Sequence, residues 1–189
     1  ARHCASTSVV SLLGYLLLVL CTTASALSLA QDRAPTHADV AAKTCNELAE
    51  FPNDPNKTTR GVSLDQIKAQ QAITACRAAV QAHPDEGKLI FQLGRAYLAA
   101  GDEAKAIDAF ALAADKGSVT ARVALASAYY FGLYGVAVDY DKSFALLQNE
   151  QAQQNPNAQY MLGRMYLLGR AVPKDEKAAL DWFKRSADQ

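Results

Sequence analysis

The sequence predicts an all-α fold, an α-solenoid of about four antiparallel helix pairs. Three observations predict it. A pattern of leucine, small residue, tyrosine and glycine returns three times: Leu93-Gly94 with Tyr97 and Gly101, Leu125-Ala126 with Tyr129 and Gly132, Leu162-Gly163 with Tyr166 and Gly169. Its tyrosines stand 32 and then 37 residues apart, a period that belongs to stacked repeats. No run of alternating β-branched residues is long enough for a strand. Stacked units bury one side against their neighbours and leave a long surface for partners, which favours recognition over catalysis.

The first 26 residues read as a secretory signal peptide. Arg2 and His3 give a basic start, Val9 to Leu20 an apolar centre, and Ala24-Ser25-Ala26 a cleavage site. Ser28-Leu29-Ala30 offers a second cleavage site, and an uncleaved membrane anchor is the alternative reading. The lipoprotein reading is set aside because Leu20 stands where a small residue would precede Cys21. Residues 27–36 read as a disordered leader. Ala1 is not an initiator Met, so the true start is expected upstream.

A first helix is expected from about His37 to Glu50, with Val40, Ala41, Cys45, Leu48 and Ala49 on one side. Phe51 to Gly61 is rich in breakers and reads as a loop. Ser63 and Gln66 have capping-box spacing and are expected to open a second helix that ends near His83-Pro84. Further helices are expected at 86–100, 102–116, 119–131, 140–152, 157–168 and 175–187. Gly101, Gly117, Gly132 and Gly169 fall where a left-handed residue closes a helix. Asp102, Asp139 and Asp175 fall where an N-cap opens the next one.

Nineteen basic and 19 acidic residues give no net charge and no long run of one sign. Nucleic acid and an anionic membrane surface are therefore not expected as partners. After removal of residues 1–26 the chain would sit near −1, with 18 basic and 19 acidic residues. Cys4 and Cys21 leave with the signal. Cys45 and Cys76 remain, either as a disulfide of an oxidising compartment or as two separate buried thiols.

The unit from Ile90 to Ser118 resembles the tetratricopeptide repeat, through Leu93, Gly94 and Tyr97 in its first helix and Ala106, Phe110 and Ala113 in its second. Gly94 and Ala106 are small where two helices must approach; Tyr97 and Phe110 fill gaps between helices. The two later units resemble the Sel-one-like repeat, a relative with a longer inner loop: Gly169 to Asp175 followed by Ala179 and Trp182, and Gly132 to Asp139 followed by Ser143 and Leu146. The middle unit departs from the pattern at Ala126, Ser143 and Leu146, so a looser helix contact is expected there. Ala72, Cys76, Ala79 and Pro84 fit the second-helix register too. Cys76 then stands where Phe110 stands and faces the helix carrying Cys45, so this register implies a Cys45–Cys76 bridge stapling an expanded hairpin. The expected organisation is a stapled pair at 37–84 and a repeat domain at 85–189, with repeats at about 88–118, 119–155 and 156–189.

No catalytic, metal or cofactor constellation stands out. His3, His37 and His83 are scattered, and no metalloprotease, nucleophile-elbow or phosphate-loop motif occurs. Cys76 and His83 would sit two helical turns apart, too far for a nucleophile pair. Asn56-Lys57-Thr58 is a glycosylation sequon, meaningful only in a eukaryotic secretory route. No cofactor is expected.

By register, the inner face of the first helices presents Lys88, Phe91, Arg95 and Leu98, then Ser127, Tyr130 and Phe131, then Asn157, Tyr160, Arg164 and Leu167. Arg95 and Arg164 occupy the same repeat position. Aromatic surface flanked by arginines suits a peptide bearing an acidic side chain or terminal carboxylate. The alternative is that several of these aromatics pack between repeats. Exchange of Arg95 and Arg164 together is expected to weaken partner capture without unfolding. The repeats thus imply a non-enzymatic adaptor or scaffold that binds a protein or peptide, and the targeting segment and cysteines imply export to a bacterial periplasm or beyond. The alternative is an accessory segment of a secreted or envelope enzyme, such as a peptidase, with its catalytic part elsewhere. The sequence stops at Gln189 on a second repeat helix, consistent with a shortened protein.

Overall fold

A computed structural model describes residues 34–189. The segment expected to be a signal peptide, 1–26, and residues 27–33 of the expected leader lie outside the described residues. Ala34–Thr36 have no regular secondary structure. From His37 onward the chain forms one compact unit.

Among the described residues, eight helices pair in sequence. They are α1 (His37–Ala49) with α2 (Ala69–Ala82), α3 (Gly87–Ala99) with α4 (Glu103–Asp115), α5 (Val119–Phe131) with α6 (Tyr140–Leu147), and α7 (Pro156–Leu168) with α8 (Glu176–Ala187). Single 3-10 turns lie at Leu64–Gln66 and Ala152–Gln154. Among the described residues there is no strand. The fold is all-α, as the repeat pattern predicts.

The helix ends follow their local chemistry. Asp102, Asp139 and Asp175 each accept a hydrogen bond from the backbone N–H three residues on, at Lys105, Lys142 and Ala178. These side chains satisfy donors that a helix N-terminus leaves orphaned. Gly132 and Gly169 close α5 and α7 in the left-handed region, at φ +68° and +65°.

Two expected boundaries are wrong, each for a visible reason. Ser63 caps no long helix: its side chain makes no capping bond, a 3-10 turn follows, and α2 starts only at Ala69. The preceding residue is held from outside the segment, since Val62 N–H donates to the Glu50 carbonyl at 2.7 Å and its own carbonyl accepts from Arg95 at 2.6 Å. Helix α6 ends at Leu147 rather than 152. There Asn149 Oδ1 accepts from the backbone N–H groups of Gln151 and Ala152, both at 3.1 Å. That local turn competes with helical continuation.

One packing slot recurs through all four pairs. In the second pair a Cβ placed on Gly94 would stand 2.6 Å from the Phe110 ring. In the fourth, a Cβ on Gly163 would stand 2.6 Å from the Phe183 ring. The third pair has Ala126 and Leu147 at the equivalent places, both fully buried. A slightly larger residue on one helix thus meets a smaller one on the other. The first pair has Cys45 and Cys76 in this slot, with Sγ atoms 2.05 Å apart and Cα atoms 4.6 Å apart. Both cysteines are fully buried. The structure therefore joins the two cysteines that the repeat register brings face to face.

The third pair is shorter, with only eight residues in α6, yet it is tied across the contact. Buried Ser143 donates its hydroxyl to the Ala126 carbonyl at 2.8 Å. The serine that departs from the repeat pattern thus supplies a hydrogen bond that alanine could not. Between pairs, Arg77 Nε on α2 donates to the Tyr97 hydroxyl on α3 at 3.0 Å. Tyr97 fills the gap its repeat position predicts, and its polar tip is satisfied.

The Gly94 contact gives a direct test of this packing. Gly94→Val forces two methyl groups towards a ring that is itself only 2% exposed. Overpacking of this kind costs about 2 kcal/mol. Urea unfolding followed by circular dichroism should show that loss, and an unchanged midpoint would refute the tight contact.

Candidate protein-interaction face

The first helices of the pairs carry the inner face, and the long segment between α1 and α2 lies across its start. Glu50, the first residue after α1, organises that segment. Its carboxylate is fully buried. Oε1 accepts from Thr58 N–H at 2.7 Å and from the Thr58 hydroxyl at 3.2 Å, and Oε2 accepts from Thr59 N–H. Lys88 on α3 closes an ion pair with Oε1 at 2.6 Å and donates to the Asn56 carbonyl at 2.7 Å. Burial alone would raise the carboxyl pKa. The bonds from Lys88, Thr58 and Thr59 outweigh it and hold Glu50 at about 2.

Arg95 completes the fastening. It is 5% exposed. Its two terminal nitrogens donate to the carbonyls of Ala49 and Val62, each at 2.6 Å. Phe51 lies against its guanidinium, 5.2 Å from the ring centre, and meets Phe91 edge-on. Burial lowers the Arg95 pKa to about 10, so it stays cationic at neutral pH.

This corrects part of the expected face. Phe91, Arg95 and Tyr130 are only 3%, 5% and 2% exposed, although Phe91 and Arg95 still reach the floor of the groove described below. Lys88 is committed to Glu50. Arg95 and Arg164 share a repeat position but not a fate, because the inserted segment covers one and not the other. Exchanging Arg95 would strip the buried Ala49 carbonyl and the part-buried Val62 carbonyl of their donor, so the expected harmless double replacement does not hold.

The rest of the face remains accessible in two places. Leu98, Ser127 and Asn157 border a groove of about 410 Å³ whose far wall is Phe51, Leu64 and Tyr134. Further along, Phe131, Tyr160 and Leu167 are exposed at 46%, 48% and 38%. Half-buried Arg164 lies among them, 5.3 Å from the Tyr130 ring centre, 5.6 Å from Phe131 and 5.8 Å from Tyr160. Sequence reasoning missed Phe51, Leu64 and Tyr134 as walls. For Phe51 and Leu64 the signal was the breaker-rich insertion between two helices of one repeat, which had to lie somewhere; Tyr134 comes from the α5–α6 loop, where its φ is +57°.

A larger and more polar cleft, about 680 Å³, runs along the N-terminal ends of α3, α5 and α7. Its two lysines are already paired, Lys88 with Glu50 and Lys116 with Asp85. Among the described residues, no group of three or more His, Cys, Asp or Glu side chains could hold a metal ion, and no helix is long and apolar enough to cross a membrane.

A stack of helix pairs with a covered start and an open aromatic end defines a helical-repeat scaffold. The Sel1 repeat model matches residues 119–149 and 156–189. A Sel1 repeat protein from Oxalobacter formigenes is 31% identical, with a TM-score of 0.52 over 62% of this chain and 89% of its own. The chain belongs to the Sel1 repeat family. It is also similar to c5321, a protective antigen of uropathogenic Escherichia coli with an SLR fold, at 27% identity and a TM-score of 0.59. That match covers 78% of this chain but only 30% of c5321, so the chain spans under a third of that relative's length. No match was found among the curated proteins. Sel1 repeat proteins are generally scaffolds for protein–protein interaction, and their fold is typically non-catalytic.

Proposed function

We propose that this chain is an exported adaptor that holds a protein or peptide partner on the inner face of its solenoid. The observation that carries this reading is the cluster of Phe131, Tyr160 and Leu167 around Arg164. Large apolar side chains left open on one face, with an arginine between them, have the composition of an interface centre. Export is supported by the joined, fully buried Cys45–Cys76 pair, since such pairs persist in oxidising compartments. An apolar start followed by Ala24-Ser25-Ala26 supports the same route.

A photo-crosslinking amino acid at position 160 tests this directly. The full chain, expressed in its native host, should form discrete crosslinked products from position 160. The same group at Lys177, exposed on the second helix of that pair, should give few or none. Equal yields from both positions, or products only from 177, would remove the inner face as the docking surface.

A further inference from the structure

Arg164 and Arg170 bracket one tyrosine ring without an acid beside them. Arg164 lies 5.3 Å from the Tyr130 ring centre and Arg170 lies 5.8 Å from it. Arg170 also stacks 4.5 Å over Tyr140, and one of its terminal nitrogens donates to the Tyr130 hydroxyl at 3.3 Å. Among the described residues, neither guanidinium has a carboxylate within ion-pair distance, and Arg164 has no hydrogen-bond acceptor. A guanidinium beside aromatic rings keeps N–H donors that the rings do not satisfy as an anion would. Two like charges beside low-dielectric rings make a local field that an outside anion would relieve.

The equivalent position in α3 shows what such an arginine accepts. There the chain's own segment supplies two carbonyl oxygens to Arg95 and lays the Phe51 ring on it. The residue just before Phe51 is acidic and pairs with a cation on the same helix, Lys88. At α3, then, the irregular segment that follows α1 already covers the inner face, with backbone carbonyls on Arg95 and the Glu50 carboxylate on Lys88. At α7 the same place is open.

Resting on the inner-face reading above, the geometry points to a site at Arg164 for an extended partner segment that places a Glu or Asp side chain on this arginine and apolar side chains on Phe131, Tyr160 and Leu167. Tyr160 and Leu167 lie about one helical turn to either side of Arg164 on the same face of α7, and both are exposed. A bound chain therefore has apolar contacts on both sides of its carboxylate. That favours an acidic side chain within a segment over a terminal carboxylate.

Three seven-residue peptides test this by NMR titration of the full chain, following the Arg164 and Arg170 Nε–H signals. The first is Ser-Leu-Phe-Glu-Leu-Phe-Ser with both ends blocked. The second replaces its Glu with Gln. The third is the Gln peptide with a free C-terminal carboxylate. The Glu peptide should bind about tenfold or more tightly than either Gln peptide, the size of one charge-assisted hydrogen bond, and should shift Arg164 Nε–H. Arg164→Gln should remove that preference, while Arg164→Lys should keep part of it; the Gly163–Phe183 contact, monitored by melting temperature, should be unaffected in both. Equal binding of all three peptides, preference for the free terminus, or a Glu preference that survives Arg164→Gln would overturn the site. Binding without Glu preference leaves the inner-face adaptor standing and removes only the acidic specificity. Absence of binding by all three peptides also overturns the site, and the crosslinking result at position 160 then decides the adaptor reading separately.

Discussion

A chain with Cys45 and Cys76 both replaced by alanine should lose about 3.5 kcal/mol of stability, the largest effect expected from any pair of substitutions here. The two cysteines are 31 residues apart, and cross-linking a loop of that length removes chain entropy of this size from the unfolded state. The loss should be local. Helix α1 has its main neighbours in α2 and α3, and repeat stability is a sum of units and nearest-neighbour contacts. Hydrogen exchange should therefore accelerate in α1 and in 50–68 well before it does in α7 or α8. Equal acceleration throughout would show a single cooperative unit instead. Mass spectrometry of the unreduced protein provides the prior check, because two free thiols would remove the bridge and the expected loss with it.

Glu50→Ala should cost about 3 kcal/mol, in the range for breaking a buried ion pair by removing one partner. The substitution strands the Thr58 and Thr59 amides and takes the counter-ion from Lys88, which keeps only the Asn56 carbonyl. Its pH signature distinguishes it from ordinary core damage. A carboxyl held near 2 in the folded chain and at its ordinary 4.5 when unfolded contributes in full above 4.5, and that contribution is lost as pH falls towards 2. Native protein should therefore lose stability steeply between pH 4.5 and 2, whereas Glu50→Gln should start lower and fall less over the same interval. Parallel pH curves for the two proteins would show that Glu50 is not held ionised by this network.

The helices and their pairing were legible because each is set by nearby residues at fixed intervals. Gly94 and Phe110, or Cys45 and Cys76, meet because the 3.6-residue period carries them to one side of each helix. The caps at Asp102, Asp139 and Asp175 are read from one residue and the three after it. The segment between α1 and α2 was not legible, because its path is fixed by Glu50 and Arg95, which reach across to partners that no local pattern announces. Ser63 has the spacing of a capping box, yet the bonds held by Val62 put the chain on another course. The same segment decides which half of the predicted face is open. Arg95 and Arg164 look alike in sequence, and only the folded chain shows that one is already occupied.

The covered start gives the inner surface an origin. Where Phe51 lies on Arg95 the chain itself occupies the inner surface, so the open stretch is counted from there towards α7. Each further repeat adds one helix spacing, about 10 Å, to the length that can be read. For the proposed adaptor, such an array would be a ruler closed at one end. Its reach would change with repeat number while its zero mark stayed with the first pair.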